Sequence, residues 1–223
     1  MADRKTLVVG GLTPFTTIDF PGRLAAVVFC QGCPWRCGYC HNPHLHSPQG
    51  RERPWSHVLD WLEPRRGLLD GVVFSGGEPL LQRGLAAALG EVRARGFATA
   101  LHTAGIYPQR LATVLPTLDW VGFDVKGPFD DYRRITGAGA GETALAALDV
   151  LLDAGTDHEI RCTVDTGLLD VDAIARLARQ LAARGVSRLV LQPCRRNGQP
   201  AQLPDALLDA AAAYLPQIEI RNV

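Results

Sequence analysis

The sequence predicts an α/β fold with a parallel sheet, built as an open partial (β/α)6 barrel or as a doubly wound sheet. Three observations carry this. Short apolar, β-branched runs alternate with Ala/Leu-rich segments that end at glycines. The alternation repeats six times in one order, which implies βα units with right-handed crossovers. Six units fall short of the eight that close a barrel, and 223 residues leave room for little else.

Taken in order, residues 1–22 read as an N-terminal extension. Leu24–Cys30 is a short apolar, β-branched run and reads as a buried strand. Residues 31–54 are rich in Cys, Pro, Gly, His and Asn and read as a long loop, a length that inside a compact domain is usually functional. Ser56 is the expected cap of a short helix ending near Pro64. Gly71–Ser75 is a strand and Leu81–Arg95 a helix closed by Gly96. Phe97–His102 is a strand, Pro108–Leu115 a short helix and Asp119–Asp124 a strand. Glu142–Asp153 is a helix ending at Gly155, and His158–Val164 the strand after it. Val171–Arg184 is a helix stopped by Gly185, Arg188–Gln192 a strand, Asp205–Tyr214 a helix and Ile218–Ile220 a last strand. No repeat, low-complexity segment or linker marks a second unit, so residues 1–223 are expected to form one domain. Its ligands belong at the carboxyl ends of the strands.

Composition narrows the function classes. Hydrophobic residues make up 47%, enough for a real core. Twenty-three basic and twenty-three acidic side chains give no net charge, which argues against a nucleic-acid binder. The N-terminus shows no apolar run of the signal-peptide kind, and no window approaches 18 apolar residues, so no membrane partner is expected. The expected compartment is cytoplasmic. Thiols stay reduced there, and clustered cysteines bind metal or do chemistry.

Four of the six cysteines fall between Cys30 and Cys40. The core pattern is Cys33-Pro34-Trp35-Arg36-Cys37-Gly38-Tyr39-Cys40, directly after the first strand of the βα series. Three thiolates so spaced can hold one corner of a cubane, and their softness favours iron–sulfur or zinc. Three ligands on a four-iron cluster leave one iron open. Including Cys30 gives a four-cysteine alternative, a closed cluster that would serve electron transfer only. A zinc ribbon separates its Cys pairs by about 15–20 residues, which fits poorly. Against the fourth ligand, Cys30 ends a strand, and free cysteine is among the most buried residue types. Cys162 and Cys194 read as core. His41, His44 and His46 follow the cluster motif and read as loop histidines, with zinc as the alternative.

The Cys33/Cys37/Cys40 motif, with aromatic Tyr39 before the last cysteine, resembles the radical S-adenosylmethionine (SAM) superfamily. Cys40-His41-Asn42-Pro43 and the upstream Thr17-Ile18-Asp19-Phe20-Pro21-Gly22 narrow the resemblance to the glycyl-radical-enzyme activating family. Within it, the chain is most similar to the anaerobic ribonucleoside-triphosphate reductase activating branch, and it is also similar to the pyruvate formate-lyase activating enzymes. The likeness runs from about Ile18 to about Gly198. It implies the radical SAM fold, an open partial (β/α)6 TIM-like barrel, with one [4Fe–4S] cluster on Cys33, Cys37 and Cys40 and SAM on its open iron.

Two more motifs agree. Ser75-Gly76-Gly77-Glu78-Pro79 follows the second strand. Its glycines permit close backbone approach, and Glu78 can accept from an ammonium group. Alone it is a turn before a helix; the resemblance implies that Gly76, Gly77 and Glu78 hold the methionine amino group of SAM. Asp124-Val125-Lys126 ends the fourth strand, and period two puts Asp124 and Lys126 on one face. Alone they are an ion pair at a strand end; the resemblance makes them, with Tyr39, SAM contacts. Two positions depart from the pyruvate formate-lyase activating enzymes. His102-Thr103 stands where those show Asp-Thr, and Arg195 where they show histidine. His102, Thr103 and Arg195 are therefore weaker candidates, together with Arg161, a charge in an apolar strand that should face the interior or pair with a carboxylate.

The resemblance implies a definite chemistry. Reductive cleavage of SAM gives a 5′-deoxyadenosyl radical, which takes an α-hydrogen from a glycine of a partner enzyme. The implied partner is a glycyl-radical enzyme, anaerobic ribonucleoside-triphosphate reductase foremost, and the implied reductant a flavodoxin or ferredoxin. Two alternatives stand beside it. One is a small-molecule enzyme like the 7-carboxy-7-deazaguanine synthases, which usually show Cys-Asp-Thr where this chain has Cys40-His41-Asn42. The other is a non-catalytic electron carrier using all four clustered cysteines.

Overall fold

The computed structural model describes residues 6–49, 53–196 and 199–222. Strand β1 (Val9–Thr16) runs antiparallel to β2 (Ala25–Cys30). Helix α1 (Trp55–Leu62) leads to β3 (Gly71–Gly76), α2 (Leu85–Ala94) to β4 (Ala98–Thr103), and α3 (Pro108–Val114) to β5 (Trp120–Val125). A short α4 (Tyr132–Thr136) and the longer α5 (Gly141–Ala154) precede β6 (His158–Val164), and α6 (Val171–Ala182) precedes β7 (Arg188–Pro193). A small hairpin of β8 (Arg195–Arg196) and β9 (Gln199–Pro200) interrupts the path to α7 (Asp205–Ala212) and β10 (Gln217–Ile220).

The strand order distinguishes the two architectures left open by the sequence. It is β1-β2-β3-β4-β5-β6-β7-β10, each new strand beside the last, and every pair after β1–β2 is parallel. A doubly wound sheet reverses direction once and carries helices on both faces. Here nothing reverses. Alternate strand residues such as Val28, Phe74, Leu101, Phe123 and Leu191 join the buried helix residues in one large apolar cluster. The opposite face carries a separate small cluster of Phe20, Ala25, Val27, Val73, Ala100 and Trp120, with no helix residue in it. All helices therefore cover one face, which is the winding of a barrel. β1 and β10 are not neighbours, so the barrel is open.

Some boundaries differ from expectation for visible reasons. The extension 1–22 contains β1, which Gly10, Gly11 and Pro14 disguise; an edge strand tolerates such residues. A Cβ at Gly10 would run into the side chains of Gln31 and Leu45, so the glycine lets the cluster loop lie over the strand. Ser56 is not the cap of α1, which starts at Trp55 behind an extended Pro54. Burial of Trp55 decides this: its ring packs on Phe74 and its Nε1–H donates to Glu91 at 2.6 Å. The helix expected from Leu81 starts at Leu85, because Pro79–Leu81 form a 3-10 turn capped by Glu78. α4 and the β8–β9 hairpin carried no period long enough to announce them. Among the described residues, no helix is long and apolar enough to cross a membrane.

Candidate active site

The carboxyl ends of the parallel strands surround a cleft of about 250 Å³. Its first wall is the loop after β2. The side chain of Gln31 fastens that loop on itself, donating to the carbonyls of Ser47 at 2.6 Å and His44 at 3.3 Å, while Gln82 donates to the Gln31 carbonyl. Arg36 turns its guanidinium back to the carbonyls of Cys33 and Trp35, and its backbone N–H donates to Thr136 at the end of α4. Trp35 meets Tyr132 edge to face at 5.6 Å. The unforeseen α4 is thus the buttress of the cysteine loop.

Cys33, Cys37 and Cys40 are half-buried and all line the cleft. Burial pushes the Cys33 thiol up to about 11 and raises Cys37 as well, so a metal that binds here must displace protons. Cys30 ends β2 fully buried in the helix-side cluster, and burial pushes its thiol far up. It does not line the cleft. Cys162 and Cys194 are likewise buried.

The Gly-Gly-Glu-Pro turn forms the floor. Gly77 donates to the Cys30 carbonyl and Glu78 to the Gly32 carbonyl, both at 2.9 Å. A Cβ on Gly76, whose φ is 111°, would lie 2.5 Å from the Cys30 nitrogen, and one on Gly77 would run into the Gly32 carbonyl oxygen. The glycines are needed because the turn and the cysteine loop touch backbone to backbone. Glu78 is fully buried. Its Oε1 accepts from Thr103 Oγ1 at 2.7 Å and the Leu80 N–H at 3.0 Å, and Oε2 accepts from the Ala104 N–H at 3.0 Å. Burial raises its pKa in spite of these donors. One lone pair on Oε2 remains available.

The concave faces of β4, β5 and β6 supply the charge. Asp124 and Lys126 line the cleft together, as period two requires, with Nζ 3.8 Å from Oδ2. Arg161 also faces the interior and donates from Nε to Asp124 Oδ1 at 2.9 Å. Gly122 makes room for it, since a Cβ there would sit 2.7 Å from the guanidinium carbon. Burial pushes the Asp124 carboxyl up, but Arg161 and Lys126 outweigh it and hold it below the usual range. Burial alone would lower Lys126; Asp124 raises it instead.

His102 occupies this face too. Its Nε2 lies 2.8 Å from the Asp19 carbonyl oxygen and 3.3 Å from Arg161 Nη1. A carbonyl only accepts, so Nε2 carries the proton, and Arg161 is a close cation rather than a second hydrogen-bond partner. Nδ1 is then the acceptor facing Ser75 Oγ at 3.5 Å. Burial and the neighbouring Arg161 lower the His102 pKa to about 4, so the ring is neutral at pH 7. His102 thereby pins the Thr17–Gly22 motif to the cleft wall, and Asp19 and Ile18 line it.

Tyr39, Gly76, Gly77, Glu78, Asp124, Lys126, His102, Thr103 and Arg161 all border one cleft. Arg195 does not; it is exposed on β8, close enough to lower the pKa of His41. Sequence reading missed Ser75, Thr163, Gln192 and Arg221, which also line it. Alternation from Val73, Arg161 and Val190 would have found the first three. Arg221 had no signal: it reaches in from behind β10 and grips buried Glu159 through two bonds of 2.6 and 2.8 Å.

Known proteins identify the family. The radical SAM superfamily profile matches residues 27–178. The pyruvate formate-lyase-activating enzyme of Streptococcus mutans is 31% identical over 215 residues, 88% of this chain and 81% of that protein. A protein of Methanocaldococcus jannaschii named for glycyl-radical enzyme activation is 28% identical over 183 residues, 77% of this chain and 74% of its own length. Among solved structures, Escherichia coli QueE superposes with a TM-score of 0.60 at 18% identity, covering 98% of this chain and 95% of that one. Streptococcus suis SuiB bound to the precursor peptide SuiA gives 0.68 at 12% identity; 88% of this chain matches and spans about half, 48%, of that longer protein. At such identities the structures speak for the fold alone. The profile covers most of the chain and the Streptococcus mutans relative most of both sequences, so the chain belongs to the radical SAM superfamily and, within it, to the glycyl-radical-enzyme activating enzymes.

Proposed function

We propose that this enzyme generates a glycyl radical on a partner protein, anaerobic ribonucleoside-triphosphate reductase being the favoured partner. The observation that carries the reading is the single cleft that gathers three half-buried cysteines with the Gly-Gly-Glu turn and the Asp124–Lys126 pair, and leaves Cys30 out. The residues fit the groups that the family uses. Three soft thiol donors stand in one loop. The Tyr39 hydroxyl is buried there without a hydrogen-bond partner among the described residues, and Oε2 of Glu78 has a lone pair to give.

Cys33, Cys37 and Cys40 hold a [4Fe–4S] cluster. Gly76, Gly77 and Glu78 receive the amino group of SAM, and Asp124 accepts while Lys126 donates beside them. Arg161 keeps Asp124 ionised and oriented. The buried ring of Tyr39 and the His102-anchored Ile18–Asp19 segment narrow the cleft against water. When bound, the cluster supplies one electron to the sulfonium of SAM, which yields methionine and the 5′-deoxyadenosyl radical. β1 and β10 do not pair with each other, which leaves one side of the barrel open and suits a glycine-bearing protein loop. A flavodoxin or ferredoxin in the cytoplasm is the expected electron source.

Anaerobically reconstituted protein is expected to form 5′-deoxyadenosine from SAM and a reductant. Added partner enzyme should then show a glycyl-radical signal by electron paramagnetic resonance (EPR). A cluster-loaded protein that makes no 5′-deoxyadenosine overturns the reading. A radical on another glycyl-radical enzyme, and none on the reductase, overturns the choice of partner alone.

A further inference from the structure

The segment after the third cysteine, Cys40-His41-Asn42-Pro43-His44-Leu45-His46, carries three histidines that the proposed chemistry leaves unused. The fold treats them differently. His41 and His44 are exposed. His46 is half-buried, and its Nε2 lies 3.3 Å from Cys40 Sγ. Among the described residues this is the one side-chain hydrogen bond to any of the three cleft sulfurs.

The backbone fixes that contact. Pro43–Leu45 form a 3-10 turn, closed by the His46 N–H donating to the Pro43 carbonyl at 3.2 Å and anchored by buried Leu45. The Leu45 carbonyl accepts from the Gly32 N–H at 2.8 Å, and the His46 carbonyl accepts from the Cys33 N–H at 3.2 Å. His46 therefore touches both ends of the motif, Cys33 through its main chain and Cys40 through its ring.

We infer that His46 is a positioning residue of the cluster: its Nε2–H donates to the Cys40 sulfur, fixes the third ligand and tunes the reduction potential. The inference rests on the cluster reading above. An iron-bound cysteine is a thiolate with no proton to give, so it only accepts, and the facing nitrogen must carry the hydrogen. A hydrogen bond to a cluster thiolate draws off negative charge and favours the reduced, more negative state. His46 thus makes the cluster easier to reduce than the cysteines alone would.

The test compares the wild type with His46→Leu, which removes the donor, and His46→Gln, whose amide replaces it. All three are reconstituted anaerobically, assayed for iron and sulfide, and titrated electrochemically with EPR detection. The midpoint potential of His46→Leu is expected to move to more negative values at full iron content, with His46→Gln close to the wild type. Loss of the cluster in His46→Leu with its retention in His46→Gln at the wild-type potential also supports donation. A wild-type potential in iron-replete His46→Leu overturns it, as do equal shifts in both variants or loss of the cluster in both. If the wild type itself assembles no four-iron cluster, the cluster reading falls and takes this inference with it. A normal wild-type cluster with an unmoved His46→Leu potential removes the inference alone.

Discussion

The same strands present two unlike faces. Toward the helices, β5 and β6 offer Val121, Phe123, Val125, Ile160, Cys162 and Val164, all buried in one apolar cluster. Toward the cleft, the alternate positions offer Asp124, Arg161 and Thr163. The helix face is held by volume and tolerates change of similar shape. The cleft face is held by pairs, and removing one partner leaves the other buried and unsatisfied. Substitutions on the first face should therefore cost stability and spare function, and those on the second should cost function first.

The cysteines give the largest contrast, because the motif puts them on both sides of this divide. Cys37→Ala should abolish cluster assembly, read as loss of bound iron and of 5′-deoxyadenosine. Cys30→Ala, on the helix face, should keep the iron and the activity. It should lose about 1 kcal/mol through the small cavity, which for a chain of this length lowers Tm by about 2–4 °C. Iron lost from Cys30→Ala with retention in Cys37→Ala would invert the assignment of faces.

Two glycines repeat the contrast at lower amplitude. Gly77→Ala forces a methyl into the Gly32 carbonyl and must separate the turn from the cysteine loop. We expect a loss of about 1–3 kcal/mol in stability and roughly tenfold weaker SAM binding by calorimetry on the loaded enzyme, which is about 1.4 kcal/mol. Gly90 lies inside α2, and a methyl there would meet nothing within 4 Å. Gly90→Ala should instead stabilise by about 0.5–1 kcal/mol and leave SAM binding unchanged. Equal effects of the two substitutions on SAM affinity would remove the special status of the turn.

The two faces also differed in how much of them could be read. The helix face announced itself: His158–Val164 was legible to the residue, because apolar period and glycine stops depend only on local pattern. The cysteine, Gly-Gly-Glu and Asp-x-Lys motifs were legible as motifs because each sets fixed residue types at fixed spacing within a few positions. What escaped depends on contacts between distant segments. β1 was hidden in part by Gly10, where the missing Cβ lets Gln31 and Leu45 pass over the strand. The bond from the Thr103 hydroxyl to Glu78, 25 residues earlier, was not legible either. Arg221, near the end of the chain, borders the cleft through a pairing with Glu159 that spans 62 positions. No local signal encodes such a partnership.

His102 tests the cleft face by pH. Its folded pKa is lowered to about 4 by burial and by Arg161, against an ordinary value of 6.5. Below about 6.5 the unfolded chain takes up a proton that the folded ring refuses, so stability falls as the medium is acidified. The contribution is complete above that pH and is lost progressively down to about 4. Between pH 7.5 and 5.5 this amounts to about 1 kcal/mol. His102→Gln keeps a donor for the Asp19 carbonyl but does not titrate. Its anaerobic urea midpoint should fall less between those two pH values than that of the wild type. Identical slopes would mean that the ring is not buried beside Arg161.

The smallest expected effect lies on the helix side and shows where the comparison stops. Asp170 caps α6, its carboxylate accepting from the Ala173 N–H at 2.8 Å, and its side chain is exposed and does not line the cleft. Asp170→Ala removes one capping bond and one favourable charge at a helix N-terminus, a loss of about 0.5–1 kcal/mol. Because α6 packs behind β6 and β7, a frayed first turn could reach the cleft by shifting Arg161 or Thr163, or through Leu168, which stands beside Gly38 of the cysteine loop. Ala173, Ile174 and Leu177 hold the helix to the sheet by buried area instead, independently of the cap. We therefore expect a lower Tm with SAM affinity and 5′-deoxyadenosine yield unchanged at a temperature well below it. A change in SAM affinity at full folding would show that the helix layer is not a passive support, and that packing behind the strands sets the position of the charges in front.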